Sequence, residues 1–198
     1  MNMTEILPHS TKVANGGQMD NISAKKKTLA CKIFLIGMPG AGKTYWSNIL
    51  KKKLKLPVYD LDTVVEVMDD RSIPEIFSEE GEDYFRKAET KMLHLFSEKK
   101  QFILATGGGA PCYNNNMQWM NKNGVTIWIN EPIEVLCNRI ESEIGQRPLL
   151  NNFKDEELKK ILEEKLQERL PFYEMAAYKL CETNITESNF VEIIKQHA

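Results

Sequence analysis

The sequence predicts an α/β fold in which a parallel β-sheet is covered by helices on both faces. Two observations carry this. From residue 30 onward, short apolar runs of strand length alternate with longer stretches of helical pattern, the order that lays strands side by side in parallel. The first apolar run also passes directly into a glycine-rich loop and then a helical pattern, a strand-loop-helix unit at the head of the fold.

Taken in order, residues 1–29 are polar and unpatterned, with Asn-Gly-Gly at 15–17 and three lysines at 25–27, and are expected to form a mobile N-terminal arm. A transit peptide is disfavoured, because the arm has no arginine and contains Glu5 and Asp20. CKIFLIG is the first strand, followed by a helix at 43–54. LPVYD is the second, followed by two or three helices over about 63–99. QFILAT precedes a helix at 114–122, and VTIWIN precedes one at 131–140. Residues 141–153 are polar, contain a proline and end in Asn-Asn, as a flap or lid would. A helix at about 154–170, a short strand around 178–182 and a helix from about 186 complete a single domain spanning 30–198. Within this order, Thr63-Val-Val-Glu66 reads as a capping box with Thr63 as N-cap, which leaves Asp62 without a capping task.

Composition narrows the function. With 198 residues and 42% hydrophobic content, the chain can bury a real core. A net charge of -2 gives no basic field for nucleic acid and no acidic excess typical of disorder. No apolar run approaches the roughly 20 residues that span a bilayer, and residues 1–29 lack the apolar segment expected of a signal peptide. Cys31, Cys112, Cys137 and Cys181 are widely spaced without a C-x-x-C, so they read as reduced thiols of a cytoplasmic protein rather than a zinc site. Only Arg71, Arg86, Arg139, Arg147 and Arg169 accompany 21 lysines. Arginine used so sparingly suggests positions where a flat, two-pronged donor is wanted for carboxylate or phosphate.

GMPGAGKT, Gly37 to Thr44, fits G-x-x-x-x-G-K-[ST] and lies between a buried strand and a helix start. Such a P-loop wraps its backbone around phosphates; Lys43 should reach the β- and γ-phosphates, and the Thr44 hydroxyl should ligate Mg²⁺. The acidic strand end of motor ATPases and GTPases is missing, since QFILAT ends in Thr106 and VTIWIN in Asn130. Asp60 and Asp62, in VYDLD, are the remaining strand-end carboxylates. A small-molecule kinase, with its second substrate at the open strand ends, is the natural reading.

Six fragments, GMPGAGKT, DLD, FRKAE at 85–89, TGGGA at 106–110, QRPLL at 146–150 and RLPFY at 169–173, stand in the order and spacing of the shikimate kinases, which the chain resembles over about residues 30–190. The resemblance implies a nucleoside-monophosphate-kinase-like P-loop fold, a three-layer αβα sandwich with a five-stranded parallel sheet and a mobile lid. It also implies transfer of the ATP γ-phosphate to the 3-hydroxyl of shikimate, with one Mg²⁺ per subunit, and a monomer. By that resemblance, Lys43, Asp62 and Arg147 carry the transfer, and Gly40, Ala41, Gly42, Lys43, Thr44, Tyr45, Arg139 and Arg147 bind ATP. Asp62, Arg86, Gly107, Gly108, Gly109 and Arg169 bind shikimate, while Thr44 and Asp60 serve the metal, Asp60 through water. Arg86 and Arg169 match carboxylate-binding arginines, the Gly108 N–H is the expected donor to the ring, Arg139 matches an arginine stacked on adenine, and Arg147 would ride the lid.

Plainer roles compete at several positions. Arg86 could pair with Glu82 or Glu89 on its own helix. Arg169 could serve a helix end, and Arg147 could be an exposed loop residue. The chain departs from the family at Tyr45, where a second Ser or Thr is frequent, and at Ser188, where a proline beside adenine is frequent. The spacing from Arg139 to Arg147, eight residues, is one longer than in some members. His9, His94 and His197 form no metal or triad set, and Trp46, Trp119 and Trp128 read as core or groove. Two rival functions remain: another small-metabolite kinase such as a gluconate kinase, and a nucleotide-binding regulator without catalysis.

Overall fold

The structure, a computed structural model, describes residues 31–142 and 155–197. The expected arm at 1–29, most of the expected lid and Arg147 lie outside the described residues. Five strands form one parallel sheet in the order β2-β3-β1-β4-β5, where β1 is Lys32–Ile36, β2 Val58–Asp60, β3 Phe102–Ala105, β4 Val125–Asn130 and β5 Tyr178–Cys181. The central strands are apolar throughout rather than alternating because both faces are covered: every residue of β3 and all but one residue in each of β1 and β4 are buried.

The covering helices are α1 (Lys43–Leu54), α2 (Leu61–Asp69), α3 (Ile73–Glu79), α4 (Gly81–Leu95), α5 (Asn116–Asn123), α6 (Ile133–Ser142), α7 (Asp155–Tyr173) and α8 (Glu187–Gln196). Leu50 of α1, Leu93 of α4, Met117 of α5, Leu162 of α7 and Ile194 of α8 are fully buried in one core with Ile33, Phe34 and Ile127 of the sheet. α6 runs two residues beyond the expected helix end into the stretch assigned to the lid, and α7 continues through Pro171.

One expectation is overturned. Thr63 is not an N-cap: α2 begins at Leu61, and Asp60 caps it by accepting from the Asp62 N–H at 3.1 Å. β2 ends at Asp60 with extended backbone, so the cap is already supplied three residues before Thr63. Glu66 instead accepts from the Ile73 N–H at 3.0 Å. The capping box of this region is Ser72 with Glu75, at the start of α3. Arg71 joins α2, α3 and α4 through Asp69 at 2.6 Å, Glu79 at 2.9 Å and Glu80 at 3.2 Å, a structural task that accounts for the arginine without a proposed ligand.

The topology makes the site. Pairing of Asp60 with Ala105 and of Leu35 with Ala105 aligns the C-terminal ends of β2, β3 and β1. The P-loop, the Asp60-Leu61-Asp62 segment and the Gly107–Gly109 turn therefore leave one edge of the sheet as neighbours, where open α/β sheets bind their ligands.

Candidate active site

Close approach shapes the P-loop. Gly37 leaves β1 at φ +144°, and a Cβ there would sit 2.5 Å from the Ile129 carbonyl oxygen. Gly42, at φ +83°, opens α1 without any side-chain cap, which leaves first-turn N–H groups facing the loop. Lys43 Nζ donates to the Gly37 and Met38 carbonyls at 2.9 Å each, so the cation rests on the loop itself. Ala41 is buried, and Tyr45 points to solvent edge-on to Trp46. From α6, Arg139 donates to the Gly40 carbonyl at 3.1 Å and to Glu131 at 2.8 Å, so its guanidinium lies against the Gly40–Gly42 segment.

Asp60 uses both oxygens: Oδ1 caps α2, and Oδ2 accepts from the Thr44 hydroxyl at 2.9 Å. This joins the P-loop helix to β2 and sets two hard oxygen donors side by side. Asp62, freed from capping, turns towards Gly107. Burial first, and the neighbouring Asp60 second, push its carboxyl above the usual range against the pull of Lys43 and Arg86.

The glycine turn is fitted between charged side chains. A Cβ on Gly107 would lie 2.7 Å from both Asp62 Oδ1 and Glu89 Oε1. One on Gly108 would lie 2.9 Å from Arg169 Nη1 and 3.0 Å from Pro39 of the P-loop, and one on Gly109 would lie 2.7 Å from Arg86 Cζ. The expected acceptor residues Asp62, Arg86, Gly107, Gly108, Gly109 and Arg169 thus meet at one place. The alternative for Arg86 also holds: it donates to Glu82 at 2.9 Å and to Glu89 at 3.0 Å, while its guanidinium lies 4.4 Å from the centre of the Tyr113 ring. Pairing on its own helix is what fixes this guanidinium against the turn. With two guanidinium groups and two carboxylates around a side-chain-free turn, the cleft suits a small polyol carrying an anionic group.

Three residues of this site were missed as functional candidates from sequence: Glu89, Met38 and Tyr173. Glu89 falls in FRKAE three residues after Arg86, where it is readable only as an ion-pair partner. In the fold it is completely buried; one oxygen accepts from Arg86, and Oε1 has no partner among the described residues. Burial above all raises its carboxyl to about 7, opposed by Arg86 and reinforced by Asp62.

This buried carboxyl gives a stability prediction. Between its ordinary 4.5 and about 7 the folded chain keeps a proton that the unfolded chain has lost, so Glu89 disfavours the fold increasingly as pH rises through that window. The contribution is of order 3 kcal/mol at most. Glu89→Gln, which still accepts from Arg86, should therefore gain stability relative to wild type from about pH 5 to pH 7.5 in chemical denaturation without ligand. Parallel pH profiles for the two proteins would count against it.

The chain is similar to one group of known proteins. Residues 39–198 match the family model described as "Shikimate kinase". A shikimate kinase of Bacteroides fragilis is 38% identical over 161 residues, covering 81% of this chain and 90% of the relative. One from Clostridium botulinum is 40% identical over 166 residues, with coverage of 83% and 95%. Among solved structures, the shikimate kinase of Bacteroides thetaiotaomicron superposes with a TM-score of 0.76 at 35% identity, covering 84% of this chain and 95% of that one. The Acinetobacter baumannii enzyme in complex with shikimate gives a TM-score of 0.72 at 31% identity, with coverage of 85% and 91%.

Proposed function

The chain belongs to the shikimate kinase family and is an ATP-dependent kinase; from that premise we propose that it transfers the γ-phosphate of ATP to the 3-hydroxyl of shikimate, giving shikimate 3-phosphate and ADP for aromatic amino-acid synthesis. The observation that carries this reading is the glycine turn, each of whose would-be Cβ positions falls on an acceptor-site charge: Asp62 and Glu89, Arg169, or Arg86. A ring with a carboxylate and hydroxyls fits there with its carboxylate on the arginines and its hydroxyls on Asp62 and the Gly108 N–H.

In this reading the Gly40–Thr44 backbone cradles the phosphates, and Lys43 turns from the loop carbonyls to the β- and γ-oxygens. Asp62 orients the attacking hydroxyl and accepts its proton, and its raised affinity for a proton makes it a better base for that task. Thr44 and Asp60 suit one Mg²⁺, an ion that takes one or two protein oxygens and completes its shell with water and phosphate. When bound with ATP, that ion neutralises phosphate charge. Arg139 lines the nucleotide side, and Arg147, which lies outside the described residues, serves as the transfer cation in this reading. We place the protein in the cytoplasm, a reading that its four free thiols favour, and take it as a monomer by the family resemblance alone.

The test is ADP release with Mg²⁺ and ATP in the presence of shikimate, gluconate or no acceptor. Release that requires shikimate is the expected result. A requirement for gluconate would move the assignment to that acceptor, and nucleotide binding without turnover would favour a regulator.

A further inference from the structure

The three glycine carbonyls of the turn are held in different ways. That of Gly107 accepts from the Ala110 N–H at 3.2 Å and that of Gly109 from the Cys112 N–H at 2.9 Å, both within the turn. The Gly108 carbonyl is held from α7, where the Tyr173 hydroxyl donates to it at 2.6 Å. Tyr173 is completely buried, and its ring packs on Trp128 with centroids 5.5 Å apart. Burial pushes the phenol further above its usual range, which keeps it a donor at working pH.

Arg169 precedes Tyr173 by one helical turn, so the two share a face of α7. The Met38 sulfur touches both, at 3.7 Å from Arg169 Nη1 and 3.8 Å from Tyr173 Oη. The single hydroxyl proton goes to the carbonyl at 2.6 Å, so the sulfur contact is packing, which ties α7 to the P-loop.

We propose that Tyr173 is a positioning residue for acceptor binding. By fixing the plane of the Gly108–Gly109 peptide from α7, it sets the turn that presents the Gly108 N–H. It also holds that turn in register with the Arg169 guanidinium. Glycine has no side chain with which to restrain its own peptide, so the restraint has to come from elsewhere. The inference rests on the reading that this cleft holds shikimate.

Tyr173→Phe tests it, because the ring and its packing remain while one buried hydrogen bond is lost. The KM for shikimate should rise about tenfold, as expected for an orphaned buried carbonyl. The KM for ATP and the affinity for ADP should stay within about twofold, since no contact to the nucleotide loop other than packing is removed. An unchanged KM for shikimate overturns the proposal. So does a parallel loss of ADP affinity, which would mark Tyr173 as a general structural residue. Wild-type assays alongside keep the two readings apart: turnover that does not depend on shikimate defeats the acceptor assignment and this inference with it. Shikimate-dependent wild-type turnover with an indifferent variant defeats the inference alone.

Discussion

Asp62→Asn should lower shikimate-dependent ADP release by about 10²–10⁴-fold, the usual contribution of a positioned acid or base. ADP affinity should be retained. The amide keeps the volume beside Gly107 and can accept one hydrogen bond, but it cannot take the proton of the attacking hydroxyl. The substitution separates chemistry from folding because Asp60, not Asp62, caps α2 and receives the Thr44 hydroxyl. The start of the helix and the P-loop contact therefore survive. It also removes a carboxylate that raises the proton affinity of Glu89, so the lost activity should not be accompanied by lost stability. Turnover near the wild-type level would show that the leaving proton finds another acceptor and would take Asp62 out of the catalytic set.

Particular residues show how far the sequence could be read. The central strands came through because their apolar runs are covered on both faces, and β1, β3 and β4 lie within the expected stretches. The P-loop was legible because its chemistry is local: one strand, one loop and one helix start occupy consecutive residues. The α2 cap was not, since Asp60 and Thr63 are both good cap residues, and the choice depends on where β2 leaves the sheet. Glu89 and Tyr173 were hidden for a different reason. Glu89 faces Gly107 across two elements, and Tyr173 reaches Gly108 from 65 positions away. No periodicity within either helix distinguishes such a contact from core packing or a surface ion pair. Motifs fixed in one segment were readable, whereas partnerships assembled by the sheet order were not.

Gly107→Ala should reduce kcat/KM for shikimate by about 10²-fold or more, since a displacement near 1 Å in a reacting site costs that much. Gly107 is not among the glycines with positive φ, so alanine meets no backbone strain, and the cost falls on what surrounds the new methyl. Two carboxylate oxygens lie 2.7 Å from that position. Glu89 is completely buried and anchored by Arg86, so Asp62 is the side chain with room to yield, and its displacement moves the acceptor's partner away from the γ-phosphate. Gly81→Ala supplies the contrast. At φ +80° with nothing within 4 Å of its would-be Cβ, it should lose about 1–2 kcal/mol of stability through backbone strain alone, with acceptor kinetics unmoved. Opposite signatures, activity without stability at 107 and stability without activity at 81, would locate the effect in the carboxylate pair. Wild-type kinetics in Gly107→Ala would mean that Asp62 and Glu89 can retreat together without consequence, and the turn would lose its role in placing them.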